Sequence, residues 1–393
     1  MMIFRLGLMM FLQFFIWGAW YLTVGTYMAE VGMGDIIYWA YTVGPLAALI
    51  APFFLGMVAD RFVAAEKLLG LLSLLAGLAM YAASRVGSGE RVLFIGLLLV
   101  HSLCYFPTIG LASTLTFHHI ANRERHFPVI RAFGALGWLM AGVLLSAVLA
   151  LDGTVAPLQW AAAASGLFGL YSFTLPHTPP QVNKEKMTAW QILGLDALQQ
   201  LKSSSFLIFI FCFALISVPY AAYSAYTPVF IAEAGLSNPG FKMSLGQFAE
   251  VPVMFLMPFL FLRMGFKAMF VAGIAAWGLR FALFAASVPT NTAWMIMAGV
   301  LLHGICYDFI YVTGQIYVDQ RATAAIRGQA QGLLVVLALG ISPLIGAPVA
   351  GWLFNHLVQT PVQPLGSWQA FWIVPAVFCF LVMGAFGWFF KDD

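Results

Sequence analysis

The chain has 393 residues, of which 62% are hydrophobic and 8% charged, against roughly 25% charged in a soluble globular domain. That balance excludes a soluble fold and identifies an integral membrane protein. The formal net charge of +3 does not point to nucleic acid, because the charges sit at the ends of apolar runs instead of forming one basic face.

Apolar runs fall at about 7–30, 37–59, 68–84, 92–116, 128–151, 155–175, 204–232, 243–262, 266–288, 290–318, 328–354 and 366–390, each near or above the roughly 20 residues a helix needs to span a bilayer. The expected fold class is an all-α polytopic membrane protein with about twelve transmembrane helices. The opening segment has one Arg and an apolar run, as a signal peptide would. No small-residue cleavage site follows, and Trp17, Trp20 and Tyr21 continue the run, so it is read as the first span. The most polar interior stretch, Leu175 to Met187, carries three prolines and three charges. It divides the chain into an amino-terminal six-helix bundle (1–175), a cytoplasmic linker (176–203) and a carboxy-terminal six-helix bundle (204–393), an arrangement that suits a secondary transporter with a site between two halves.

Most Lys and Arg lie at one set of span ends: Arg5, Arg61, Lys67, Arg123, Arg125, Lys184, Lys186, Lys202, Arg263, Lys267, Arg321, Arg327 and Lys391. Arg85, Arg91 and Lys242 lie at the other. The positive-inside rule then places both termini in the cytoplasm, in a multi-pass protein of the cell inner membrane. The four cysteines, Cys104, Cys212, Cys306 and Cys379, all fall within apolar runs and read as small buried hydrophobes. There is no phosphate-binding loop to couple ATP hydrolysis and no metal-ligand spacing: His118 and His119 are adjacent and point to different helix faces. No cofactor or metal is expected, the lipid bilayer is the surrounding partner, and a monomer is the expected state.

Two of the 15 acidic residues lie well inside apolar runs, Glu250 and Asp308. An acid at bilayer depth costs on the order of 3 kcal/mol, so it persists where it pairs, meets water or moves protons. Glu250 is a candidate proton carrier, substrate acceptor or both, the alternative being a structural acid paired with another helix. Gln247 lies one turn earlier on the same face and offers two donors and an acceptor. Asp308 is the second candidate for proton coupling, with His303 and Tyr307 on neighbouring turns and sharing a face. The ordinary role of a lone histidine in a span is interhelical hydrogen bonding, with proton relay as the alternative. Arg131 is either a partner for an intramembrane carboxylate or a snorkelling interfacial cation. Arg280 is expected to pair with Asp308 or with a carbonyl. Gln13, Trp17, Tyr105 and Thr108 offer amphipathic groups in the first half.

Gly56-Met57-Val58-Ala59-Asp60-Arg61 resembles the loop between the second and third helices of major facilitator superfamily transporters, where glycine permits close helix contact and the charges act in gating. Further matches keep their order along the chain. They include Phe11 to Trp20 with Thr23, Gly25 and Tyr27; Tyr105-Phe106-Pro107-Thr108; Arg131 with Gly134 and Gly137; Leu175-Pro176-His177; Gly194-Leu195-Asp196-Ala197; Gln247 with Glu250; Ala276-Trp277 with Leu279 to Ala285; and Asp308-Phe309 with Ala325-Ile326-Arg327. Together these resemble the bacterial nucleoside:proton symporters of that superfamily. The resemblance implies the major facilitator fold and nucleoside uptake driven by protons, with Gln247, Glu250, Tyr307, His303 and Arg131 in substrate binding. It departs at His303, usually tyrosine, and Tyr307, usually phenylalanine. Other polar or aromatic family positions read here as Ala135, Trp138, Ala221 and Ser224. A transporter of sugars or other small polar solutes would share every compositional feature.

Overall fold

The computed structural model describes residues 2–54, 63–180, 188–323, 326–359 and 366–391. Gly56, Asp60 and Arg61, expected to act in gating, lie outside the described residues.

The chain divides into two compact units, Met1–Met187 with Asn238–Ser244, and Thr188–Ser237 with Leu245–Asp393. In the first unit, α1 (Met2–Tyr21) and α2 (Val24–Glu30) form one span interrupted at residues 22–23. It is followed by α3 (Ile37–Phe54), α4 (Ala65–Ala83), α5 (Arg91–His119), α6 (Arg123–Ala141) and α7 (Ala156–Ser172). Two short helices, α8 (Ala189–Ile192) and α9 (Leu195–Gln200), open the second unit. The long helices α10 (Ser204–Glu233) and α11 (Pro239–Ser287) follow. Then come α12 (Ala293–Leu301), α13 (His303–Tyr307) and α14 (Thr313–Arg321) as one interrupted span, α15 (Arg327–Val335) and α16 (Ser342–Leu357) as another, and α17 (Gly366–Phe389).

Among the described residues, ten helices are long and apolar enough to cross a membrane. The expected twelve are recovered by two local features. The 49-residue α11 has one non-helical residue, Gly265, at φ 71° and ψ 176°, which divides it into the two spans read from the sequence. Helix α7 has 17 residues, about 26 Å at 1.5 Å per residue, a little short of the hydrocarbon thickness.

The described ends of the linker pack on different units. Its start is strapped to the first unit, where the carboxylate of Glu66 accepts hydrogen bonds from His177 Nδ1 (2.8 Å) and the Thr178 amide (3.0 Å). Its end belongs to the second unit. Gly194, at φ 73°, comes so close to α15 that an added Cβ would lie 2.7 Å from the Gln329 carbonyl oxygen. The first turns of α11 are grouped with the first unit because the Gly240 amide donates to Asp152 Oδ1 at 2.9 Å, while Ser146 donates to Oδ2 at 2.6 Å. Glu66 and Asp152 read from the sequence as span-end or loop acids; the fold buries both, at 4% and 7% exposure.

Glycine sets the closest helix contact in the first unit. A Cβ on Gly137 would lie 2.1 Å from the Phe11 carbonyl oxygen, so α1 and α6 touch backbone to backbone there. The helices hold interior prolines, among them Pro107 in α5 and Pro219 and Pro228 in α10, tolerated in membrane helices because neighbouring groups re-satisfy the freed carbonyls. Cys212, Cys306 and Cys379 are buried free thiols, as expected; Cys104 is partly exposed.

Candidate functional site

The polar groups inside the second unit gather where α10, α11 and α13 meet. Gly304 lets them meet: a Cβ there would stand 2.5 Å from the Ala249 carbonyl oxygen, so α13 lies directly on α11. The residues beside this contact are His303 and Glu250. His303 Nε2 is 3.1 Å from Glu250 Oε1, and Gln247 Nε2 is 3.5 Å from the same imidazole nitrogen. His303 is 1% exposed, whereas the Glu250 side chain keeps 24% of its surface. The pair thus has one buried member and one within reach of a solvent or ligand molecule.

The imidazole ring stacks with two tyrosines, Tyr223 of α10 (centroids 5.3 Å, planes 18° apart) and Tyr307 (5.8 Å, 27°). Tyr311 continues the column beyond Tyr307 at 4.5 Å, and its hydroxyl donates to Ser217 Oγ at 3.3 Å. Beyond Tyr223 lies Arg280, fully buried, with its guanidinium carbon 4.0 Å from the Tyr223 centroid and 4.5 Å from that of Trp277. Of the two partners expected for Arg280, the structure provides the carbonyl: Nε donates to Gly299 O at 2.9 Å. Its charge is met by ring faces, a cation–π arrangement strengthened by exclusion of water.

Asp308 is 1% exposed, with no hydrogen-bond partner at Oδ2 among the described residues. It begins a π-helical segment, Asp308–Val312, where the widened turn lets Thr313 Oγ1 donate to the Asp308 carbonyl at 3.4 Å. Such segments recur at functional sites because they loosen one turn without ending the helix. Ser224 is buried on α10 beside Tyr223.

The first unit holds a different kind of cluster. Gln13 Nε2 donates to Thr108 Oγ1 at 2.8 Å, the Tyr105 hydroxyl donates to the Gln13 carbonyl, and Thr108 donates to the Tyr105 carbonyl. Gln13, Tyr105 and Thr108 are all buried. Trp17, one turn after Gln13 on α1, packs edge-on against Trp138 (5.4 Å, 84°) and Phe106 (5.6 Å, 69°). Arg131 lies on α6 with its guanidinium carbon 4.5 Å from the Phe14 centroid. His101, which the sequence reading did not single out, stacks on Tyr105 at 5.7 Å and bonds through Nδ1 to Ala76 O at 2.9 Å.

The structure therefore brings Gln247, Glu250, His303 and Tyr307 together in one unit and Gln13, Trp17, Tyr105, Thr108 and Trp138 together in the other. Tyr223 was missed. The signal available for it was the run of tyrosines at 220, 223 and 226 among small residues, a helical spacing that puts Tyr220 and Tyr223 on one face.

The sequence model of a family described as nucleoside H+ symporter matches residues 1–393. YegT of Escherichia coli (strain K12) is 35% identical over 99% of this chain and 94% of its own length. The xanthosine permease of the same organism is 31% identical over 98% and 95%. A crystal structure of the nucleoside transporter NupG superposes with a TM-score of 0.89 at 26% identity, covering 100% of both chains. The order of spans, the major facilitator fold and a match running the length of the sequence agree: the chain belongs to the nucleoside H+ symporter family, and is a proton-coupled membrane transporter, not an enzyme.

Proposed function

We propose that the chain carries nucleosides together with protons into the cell across the bacterial inner membrane by alternating access, with both termini cytoplasmic and a single chain as the working unit. The family and its E. coli relatives, one of them named a xanthosine permease, support the substrate class over sugars. The distribution of Lys and Arg supports the orientation.

The observation that carries the reading is the contact between Glu250 and His303, 3.1 Å apart with the carboxylate partly exposed. A carboxylate so placed can exchange protons with water and accept a hydrogen bond from a ribose hydroxyl or a base N–H. Gln247, on the same face, offers the complementary amide. Tyr223 and Tyr307 offer flat rings, and ring stacking on a nucleobase is worth about 1–3 kcal/mol. In the proposed cycle, a proton from outside neutralises the acidic site at Glu250 or Asp308, nucleoside binds, the site changes the side it opens to, and proton and nucleoside leave inward. Neutralisation removes the charge that would otherwise oppose occlusion in a low-dielectric interior.

The test is uptake into proteoliposomes under an inward proton gradient. Glu250→Gln should abolish accumulation, and unlabelled thymidine or adenosine should compete with the labelled nucleoside while glucose should not. Accumulation retained in Glu250→Gln removes that residue from coupling, and competition by glucose would favour the sugar reading.

A further inference from the structure

We infer that in this chain the coupling proton is stored on the imidazole of His303, with Glu250 as its counter-ion and water contact. The inference rests on the proton-coupled reading above and adds to it the atom that holds the proton.

The geometry assigns the hydrogen positions. With Glu250 ionised, the 3.1 Å contact requires Nε2 to carry its hydrogen and donate it to the carboxylate. The neutral ring then presents Nδ1 as a bare lone pair. That nitrogen is buried and has no hydrogen-bond partner among the described residues. Nδ1 is the position that can take up a further proton; the N–H so formed meets no acceptor among the described residues, so the cation is held by the Glu250 carboxylate at Nε2 and by the neighbouring tyrosine rings. An N–H bond forms on the ring as an O–H bond of hydronium breaks to leave water, and the pair changes from net −1 to net zero. On release the same proton returns to water, and the exposed edge of Glu250 is the pair's contact with it.

The surroundings suit a cation that comes and goes. Favouring the charged ring are Glu250 at its edge and the stacked rings of Tyr223 and Tyr307. Opposing it are its own burial, at 1% exposure, and Arg280, a permanent cation packed on Tyr223. The remaining polar and titratable groups from the packed elements are Gln247 of α11, Tyr220 and Tyr223 of α10, and Cys306, Tyr307 and Asp308 adjoining His303 in its own span. Arg280 weakens the imidazolium and Glu250 strengthens it, so the ring gains its proton less readily when Glu250 is neutralised. The two residues titrate as a unit, so the proton belongs to the pair with the imidazole as its resting place. Where the family resemblance would put a tyrosine at 303, the proton has no such basic nitrogen to occupy.

Two measurements test this. In protein carrying 15N-labelled histidine, the His303 imidazole signal is identified among the seven histidines by its loss in His303→Tyr. It should pass from neutral to cationic between about pH 8 and about pH 5, and in Glu250→Gln it should need about a tenfold higher proton concentration. In proteoliposomes, the ratio of gradient-driven nucleoside accumulation to nucleoside exchange should fall at least about tenfold in His303→Gln relative to wild type. An imidazole that stays neutral down to about pH 5, with and without nucleoside, overturns the inference. So does a wild-type ratio in His303→Gln, and if that variant transports nothing the spectroscopic titration decides. Failure of the wild-type protein to carry nucleosides would sink the transport reading while leaving the titration of His303 to stand or fall separately.

Discussion

Replacing Gly304 with alanine tests whether the helix contact beneath the His303–Glu250 pair sets nucleoside affinity. The new Cβ would fall 2.5 Å from the Ala249 carbonyl oxygen and 3.0 Å from the Glu250 Cα, both of them backbone atoms that cannot rotate away. A carbon and a carbonyl oxygen rest at about 3.3 Å, so α13 must withdraw from α11 by about 0.8 Å. A withdrawal along the line between His303 and Glu250 stretches their 3.1 Å contact to about 3.9 Å, outside hydrogen-bonding range. At an effective dielectric of about 20, the loss of attraction for a charged pair is about 1 kcal/mol. Losing the charge-assisted hydrogen bond brings the total to roughly 1–3 kcal/mol, or about 5- to 150-fold in affinity. Nucleoside titration by thermal shift in detergent reads the affinity, and the melting temperature without ligand reads the overpacking cost of about 1–3 kcal/mol. Gly346→Ala is the control. Its Cβ would lie 2.3 Å from the Val218 carbonyl oxygen, a clash at least as severe between α16 and α10, so it should lower the melting temperature and leave the affinity near wild type. Wild-type affinity in Gly304→Ala would refute the claim that this close approach positions the site.

Arg280→Lys keeps the charge but loses the planar stack on Tyr223 and Trp277; thermal melting should show a loss of about 1–2 kcal/mol. Burial pushes the Asp152 carboxyl up from its usual 3.8, against hydrogen bonds from Ser146 and Gly240 and the charge of Lys242. A raised folded-state value means stability that is complete below about pH 4 and lost as pH rises through the raised value. Wild-type melting temperature should therefore fall relative to Asp152→Asn as pH is raised across that window, and a relative rise would contradict the assignment. Trp17→Ala should weaken nucleoside binding by about tenfold through lost ring contact while leaving the pH dependence of uptake unchanged, as measured in proteoliposomes.

The spans were legible because a run of some 20 apolar residues is long enough to cross a bilayer and too uniformly apolar to face water. The division of α11 was legible from Arg263 and Lys267, which flank the non-helical Gly265 where the two spans part. Glu250 and Asp308 stood out because an acid in an apolar run is costly. Their surroundings did not stand out. His303 and Glu250 are on different helices and meet only because Gly304 allows backbone contact. Neither the tyrosine spacing at 220 and 223 nor Trp277 tells from the sequence that these rings pack on Arg280. Glu66 and Asp152 look in the sequence like span-end or loop acids, yet a strap from His177 and Thr178 covers one and the start of α11 covers the other. Position along the chain gives depth in the membrane, but burial near a helix end depends on which segment folds over it.

The two units meet the problem of buried polarity by different means, and the difference bears on mechanism. In the first, Gln13, Tyr105 and Thr108 are joined by neutral hydrogen bonds beside Trp17 and Trp138, with Gln13 Oε1 left without a partner among the described residues. In the second, a carboxylate, an imidazole and a buried guanidinium are linked by ring faces and one short contact, with a further carboxylate at Asp308. A neutral network is indifferent to a proton gradient, because none of its members changes charge near neutral pH. The second cluster cannot be indifferent: adding one proton changes its net charge in a medium where Coulomb terms are strong. In the proposed cycle, coupling falls to the second unit and the first contributes to ligand affinity. Substitutions divide accordingly, those at Gln13, Trp17 or Thr108 acting on affinity alone and those at Glu250 or His303 acting on affinity and pH dependence together.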